Sequence, residues 1–141
     1  MSDLFTLRKA REEDMPYVHS YAYREGMDNP PFGEGLSVAV NSDDIPVGFV
    51  RIAVVDGVAY VNPVVVAHTW RGFGVGRALI EDALRTHGAL RLVARGASVP
   101  FYRAMGFGEA AWEDIADEIA SECTGCELRP ECGPLPMRFP V

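Results

Sequence analysis

The chain has 141 residues, of which 48% are hydrophobic, 10% aromatic and 23% charged. This length and composition are typical of a globular protein with one core, and they exclude the disordered and fibrous classes. The net charge of −7 argues against broad nucleic-acid binding, because phosphate backbones are held mainly by lysine and arginine. No apolar run approaches the roughly 18 residues that cross a bilayer, and no signal peptide is visible. We therefore expect a cytoplasmic protein without a membrane partner.

Hydrophobic spacing and turn residues predict alternating strands and helices along the chain. In the first half, the predicted elements are a strand ending near Arg8, a helix ended by Gly26, a loop over 28–35, and strands near 36–41, 45–55 and 58–66. In the second half, they are a helix from Gly74 to Gly88, a strand over 90–95, helices over 98–105 and 112–123, and a closing strand over 136–141. This order predicts a mixed α/β sheet that opens around a central strand.

The stretch TWRGFGVGRALIED, residues 69 to 82, carries the strongest functional signal. Three glycines, Gly72, Gly74 and Gly76, stand at alternate positions where a predicted strand passes into a predicted helix. A helix start presents unpaired N–H groups and partial positive charge, so it binds phosphate where glycines let the backbone approach. Arg71 and Arg77 can add charge-assisted hydrogen bonds. The alternative is a glycine-rich turn that serves only tight strand-to-helix geometry.

Two common phosphate-binding loops do not fit this stretch. A P-loop ends in Gly-Lys-Ser/Thr, which is absent here. The dinucleotide fingerprint requires a third glycine where this chain has Arg77 or Leu79, and an acid after the next strand, where it has Arg95. Local basic charge nevertheless remains available to an anion, because several arginines lie in the central part of the chain. They include Arg71, Arg77, Arg91, Arg95 and Arg103.

The pattern Arg-x-x-Gly-x-Gly, here RGFGVG from Arg71 to Gly76, resembles the GNAT family of N-acetyltransferases. VPFYRAMGF, residues 99 to 107, is similar to that family's Phe-Tyr-x-x-x-Gly-Phe segment, and TLRKAREEDM is similar to its opening strand and helix. The resemblance spans roughly residues 3 to 110. It implies an α/β fold in which a mostly antiparallel central sheet is flanked by helices and splays between its fourth and fifth strands.

The resemblance implies acetyl-CoA as co-substrate and assigns residues to its binding. The backbone of the loop would hold the diphosphate, while the strand before it would pair with the pantetheine arm through its main chain and keep its side chains in the core. The implied cofactor-binding residues are Val64, Val66, Arg71, Gly72, Phe73, Gly74, Val75, Gly76 and Arg77. We read residues 1–141 as a single acyl-CoA N-acyltransferase domain.

Tyr102 aligns with the family's frequent general acid, which protonates the departing CoA thiolate. A phenol with a pKa near 10 is protonated at neutral pH and can donate to sulfur. The alternative is an amphipathic tyrosine that covers the core with Phe101 and Phe107. The general base stays open among four carboxylates: Glu25, Asp28, Glu34 and Glu113.

Two positions depart from the family's pattern. His68 stands where many members have a proline, and Arg95 stands where many have an asparagine. We read His68 as a surface turn residue. Arg95 either meets a CoA phosphate or is simply solvated.

A cysteine-containing segment of about 121–136 precedes the last predicted strand. Cys123, Cys126 and Cys132 have C-x-x-C-x5-C spacing, which leaves three interpretations open: a metal or iron–sulfur site, redox-active thiols, or unliganded packing. A closed zinc site needs four ligands, so a metal would require a further ligand, such as Glu127 or a residue of another subunit. We leave a homodimer open.

The reading we favour is an N-acetyltransferase that moves an acetyl group from acetyl-CoA to a primary amine of a small molecule or peptide. The amine would attack the thioester directly in a ternary complex. The alternative is a non-catalytic module that senses acyl-CoA, metal or redox state.

Overall fold

The computed structural model describes residues 4–123, 126 and 129–141. The described strands are β1 Thr6–Lys9, β2 Leu36–Val40, β3 Pro46–Val55, β4 Val58–Val66, β5 Leu90–Ala94, β6 Gly108–Glu109 and β7 Leu135–Phe139. The described α-helices are α1 Met15–Arg24, α2 Val75–His87, α3 Val99–Ala104, α4 Asp117–Ala120 and α5 Arg129–Cys132.

The seven strands are ordered β1-β2-β3-β4-β5-β7-β6. β1 and β2, β2 and β3, β5 and β7, and β6 and β7 pair antiparallel, whereas β4 and β5 pair parallel with Tyr60 opposite Arg91. The predicted mixed α/β class with a mostly antiparallel sheet and flanking helices is confirmed. The splay between the fourth and fifth strands stays a prediction.

By its internal contacts the chain separates into two units, Met1–Ala53 with Pro63–Thr86 and Val54–Asn62 with His87–Val141. In the first unit, Val18 and Ala22 of α1 are fully buried against Val38 and Phe49 of the sheet. Their spacing of four residues places both on one helix face, as the sequence predicts. The interpretation of the chain as one domain stays a prediction.

In the second unit, β5 alternates between buried and partly exposed residues. Leu90, Leu92 and Ala94 are buried, whereas Arg91 and Val93 are partly exposed. Because side chains alternate across a strand, Arg91 lies on the face opposite to the buried leucines. The antiparallel register sets Arg91 directly opposite Arg138 of β7.

The predicted helix over 112–123 is wrong in extent. The structure has a 3-10 turn at Trp112–Asp114, then extended backbone at Ile115, and α4 begins only at Asp117. The carbonyl of Asp114 accepts hydrogen bonds from Tyr60 and Arg91, and the N–H of Ala116 donates to the Tyr60 hydroxyl. These side chains take the backbone groups that a continuous helix would need, so tertiary contacts divide it in two.

Within the described residues, no helix combines the length and the apolar composition needed to cross a bilayer.

Candidate functional site

The loop between β4 and α2 has the backbone conformation that its glycines predict. Gly72 and Gly74 have φ of +89° and +82°, in the left-handed region that other residues rarely adopt. A Cβ added at either position would meet no atom within 4 Å. Backbone strain, and not lack of space, therefore requires glycine at both positions.

Helix α2 begins in this loop, and its first amides have no acceptor within the helix. The N–H of Ala78 bonds the carbonyl of Gly74 at 3.0 Å, which starts the helical ladder. The N–H groups of Val75, Gly76 and Arg77 precede that bond and have no acceptor inside the helix. Over the 13 residues of α2, the aligned peptide dipoles add partial positive charge at the same end. This end of the helix suits an anion.

Gly48 of β3 supports the helix start, although sequence reasoning did not single it out. A Cβ at this position would lie 2.9 Å from Cγ1 of Val75 and 3.1 Å from the carbonyl oxygen of Val65. Glycine therefore lets the buried Val75 pack directly on the strand backbone. An isolated glycine inside a predicted strand was the available signal, because it indicates close backbone approach.

A cluster of charged side chains lies beside the loop. Glu25 Oε2 is 3.2 Å from Arg71 Nη2 and 3.0 Å from His68 Nε2. Arg77 Nε lies 3.4 Å from Glu81 Oε2, one helical turn along α2. The side chains of Arg71 and Arg77 are 52% and 55% exposed, so both guanidiniums keep donors that face solvent.

The loop also presents an aromatic pair. Phe73 is 49% exposed, and its ring centroid lies 5.4 Å from that of Trp70. Phe73 belongs to the predicted cofactor-binding set, whereas Trp70 was not singled out.

The expectation that the side chains of Val64 and Val66 are core is wrong. Both are partly exposed, whereas Val65 between them is 5% exposed and belongs to the core cluster. Alternation along β4 fixes this result, since consecutive side chains point to opposite faces. The proposed use of the main chain at Val64 and Val66 does not depend on their side chains.

Tyr102 lies in α3 and is 6% exposed. Its ring packs edge-on against Phe101 and Phe107, with centroids 5.0 and 5.4 Å away. Burial raises the pKa of Tyr102 well above its ordinary value, so the phenol keeps its proton throughout the neutral range. Among the described residues, none forms a hydrogen bond with its hydroxyl. Both interpretations of this residue, acid and core aromatic, agree with these contacts.

A family comparison decides the identity of the chain. Residues 3–127 match the model of the acetyltransferase (GNAT) family. This chain belongs to the GNAT family of acetyltransferases. No curated protein sequence gives a significant match.

Solved structures share the fold of this GNAT protein at low sequence identity. Rv2747 from Mycobacterium tuberculosis, in complex with CoA and NLQ, has a TM-score of 0.76 and 16% identity, covering 96% of this chain and 99% of its own. Ard1 from Thermoplasma volcanium has a TM-score of 0.71 and 18% identity, covering 96% of both chains. The ribosomal-protein-S18-alanine N-acetyltransferase from Escherichia coli has a TM-score of 0.65 and 21% identity, covering 77% of this chain and 80% of its own.

The four predicted base candidates have different surroundings in this GNAT protein. Glu25 is engaged with Arg71 and His68, whereas Asp28, Glu34 and Glu113 are exposed. A fifth carboxylate, Glu122, accepts a hydrogen bond of 3.0 Å from Asn62 of β4. Sequence reasoning missed this contact, because 60 residues separate the two side chains.

The two departures from the family pattern lie at the surface. His68 is 60% exposed in a 3-10 turn, His68–Trp70, in agreement with its reading as a surface turn residue, although its contact with Glu25 was not expected. Arg95 is exposed and begins the turn Gly96–Ser98.

The cysteine-containing segment is described in part, since residues 124–125 and 127–128 lie outside the described residues. Cys123 and Cys132 are partly buried and Cys126 is exposed. Burial raises the pKa of the Cys123 thiol above its ordinary value. The neighbouring Cys132 and Cys126 also raise this pKa. In the described part of the chain, no group of three or more His, Cys, Asp or Glu side chains is arranged to hold a metal. Glu127, the further ligand considered from the sequence, lies outside the described residues, and a metal or iron–sulfur site at Cys123, Cys126 and Cys132 stays a prediction.

Proposed function

We propose that this GNAT protein is an N-acetyltransferase that moves an acetyl group from acetyl-CoA to a primary amine. The observation that carries the proposal is the loop before α2, where left-handed Gly72 and Gly74 lead into a helix start whose first amides have no acceptor within the helix. Family membership supports the same reaction class.

The loop supplies the chemistry that a diphosphate needs. Backbone N–H groups donate to phosphate oxygens, and the helix dipole favours negative charge at this end. Arg71 and Arg77 add charge-assisted hydrogen bonds from exposed side chains. We infer that residues 71–77 hold the diphosphate of acetyl-CoA, and that the main chain of Val64 and Val66 pairs with the pantetheine arm.

Glu25 acts in this proposal as a counter-ion of Arg71 rather than as the general base. Its Oε2 atom is within hydrogen-bond distance of the guanidinium of Arg71 and of the ring of His68. A diphosphate that binds Arg71 competes with that carboxylate, because both are oxyanions that use the same donors. When acetyl-CoA binds, its diphosphate would then replace the Glu25 carboxylate on the guanidinium of Arg71.

The transfer step requires that the amine lose a proton and that the leaving thiolate receive one. The neutral amine attacks the thioester carbonyl to form a C–N bond, and the tetrahedral intermediate collapses with cleavage of the C–S bond. We assign to Tyr102 the donation of a proton to the leaving thiolate, since its raised pKa keeps it protonated at neutral pH. The amine's proton goes to a base that we leave open among Asp28, Glu34, Glu113 and Glu122.

Binding and turnover test this function separately. Isothermal titration with acetyl-CoA measures binding, and release of free thiol is then followed over a panel of small-molecule and peptide amines. We expect saturable binding and amine-dependent thiol release. Binding without release from any acceptor would favour the alternative, a module that senses acyl-CoA.

A further inference from the structure

The second unit contains a cavity of about 320 Å³ that none of the predicted site residues lines. We call it the arginine cavity. It is formed by the β3–β4 hairpin, the start of β5 and the end of β7, and its principal lining residues are Val54, Val58, His87, Arg91, Arg138 and Phe139. Its volume is at the low end of the roughly 300–1,000 Å³ of small-molecule sites, so it suits a compact ligand.

Two positive charges face each other across neighbouring strands in this cavity. Arg91 and Arg138 are register partners on antiparallel β5 and β7, so their side chains lie on the same face of the sheet. Like charges directly opposite each other destabilise a sheet unless something compensates them. On its other side Arg138 pairs with Gly108, which has no side chain to offer.

Neighbouring carboxylates do not compensate this charge. Among the described residues, neither Arg91 nor Arg138 forms an ion pair. The carboxylate of Asp114 instead accepts the N–H of Ala111, and only its main-chain carbonyl bonds Arg91. The next residues on the same face within the two strands are Val93 and Pro136, and both are uncharged.

Arg138 also has a hydrogen-bond donor without an acceptor among the described residues. Its Nε atom is buried and has no hydrogen-bond partner among the described residues. Buried donors in native structures are nearly always paired, and each exception needs a cause. A guanidinium that is partly removed from water interacts more strongly with an anion, because its charge is less screened.

We propose that the arginine cavity binds a small carboxylate with an apolar body. The planar fork of a guanidinium matches the two oxygens of a carboxylate. Val54, Val58 and Phe139 add apolar surface to a lining that also includes His87, and this surface suits a hydrocarbon portion better than it suits a hydrated inorganic anion. The proposal does not rest on the acyl-transfer chemistry, because it uses neither the loop at residues 71–77 nor Tyr102.

The test is isothermal titration of the full chain with three probes: 4-methylpentanoate, its neutral analogue 4-methylpentanol, and inorganic phosphate. We expect saturable binding of the carboxylate alone. Arg138→Met should raise its Kd by about tenfold or more, since one charge-assisted contact is lost. Arg103→Met, which removes an exposed arginine outside the cavity, should leave the Kd unchanged.

Amide chemical shifts of the wild-type protein locate the site even if Arg138→Met fails to fold. Carboxylate-dependent shifts should concentrate at Val58, Leu90 and Phe139. The proposal is overturned if 4-methylpentanoate does not saturate, if the alcohol or phosphate binds equally well, if Arg138→Met binds like wild type, or if the shifts lie elsewhere.

Discussion

Glu25 and Arg71 are joined by a contact of 3.2 Å between Oε2 and Nη2, although 46 residues separate them in sequence. The contact connects the end of α1 to the first residue of the glycine loop. A carboxylate therefore contacts the same guanidinium that we propose to bind the diphosphate of acetyl-CoA.

Glu25→Gln should therefore strengthen CoA binding. The variant keeps the shape of the side chain but removes the negative charge that competes for Arg71. Because the pair is partly exposed and screened, the expected decrease in Kd is about two- to fivefold. Isothermal titration at low salt measures it, with Glu34→Gln as a control on an exposed carboxylate. Unchanged or weaker binding in Glu25→Gln would contradict the replacement of Glu25 by the diphosphate.

Tyr102→Phe should lower kcat by about a hundredfold or more and leave the Kd for acetyl-CoA nearly unchanged. The substitution removes the proton donor but keeps the ring that packs between Phe101 and Phe107. Steady-state thiol release and titration give the two quantities. Tyr23→Phe, at a residue 81% exposed, is the matched control. An unchanged kcat in Tyr102→Phe would remove its role as acid and leave the core interpretation.

Asp14→Asn should lower the free energy of unfolding by about 3 kcal/mol. Asp14 is 2% exposed and accepts two hydrogen bonds from Arg8, at 2.7 and 3.0 Å, and one from the N–H of Arg11. The variant leaves the Arg8 guanidinium short of its closest counter-charge. Urea denaturation at pH 7 measures the change, and Glu12→Gln, an exposed neighbour, should have little effect.

The same carboxylate predicts a loss of stability in acid. Burial raises the pKa of Asp14, but the hydrogen bonds from Arg8 and Arg11 outweigh burial, so its pKa lies below the ordinary value. A carboxyl with a lowered folded pKa contributes stability above its unfolded pKa of about 3.9 and loses it as pH falls through the folded value. The stability difference between wild type and Asp14→Asn should therefore shrink below about pH 4. A difference that stays constant to pH 2 would argue against this linkage.

Cys123 should react slowly with alkylating agents at neutral pH. Its raised pKa keeps less thiolate than a free cysteine has, and it is partly buried. Site-resolved mass spectrometry after iodoacetamide treatment at pH 7.5 should show Cys123 modified later than the exposed Cys126, with N-acetylcysteine as the reference thiol. A Cys123 rate equal to that of the reference would instead support redox-active thiols in this segment.

Local signals in the sequence predicted most of the elements. Asp56-Gly57 predicted the β3–β4 hairpin, and both residues have positive φ, at 51° and 79°. Gly26, Gly88 and Gly106 predicted helix ends and also have positive φ. These predictions succeeded for a common reason. The preference of glycine for a left-handed turn is a property of the residue itself and does not require distant partners.

Contacts between distant residues account for what the sequence did not predict. The helix over 112–123 is divided because Tyr60 and Arg91 bond the backbone between its two parts. The pairing of Arg91 with Arg138 follows from strand register, which periodicity alone does not fix. In the candidate site, the loop was predictable from its motif, whereas the contact of Glu25 with Arg71 needed the fold.

The central claim is that amides exposed by glycine at the start of α2 bind the diphosphate of CoA, and titration with CoA tests it most directly. Wild type should bind saturably, and Gly74→Ala should bind at least about tenfold more weakly, because alanine at φ +82° forces the loop backbone to shift. Gly88→Ala has the same kind of strain at φ +77° outside the loop and should keep the wild-type Kd. A wild-type protein that does not bind CoA at millimolar concentration and low salt, or a Gly74→Ala variant that binds as tightly as wild type, would contradict the claim.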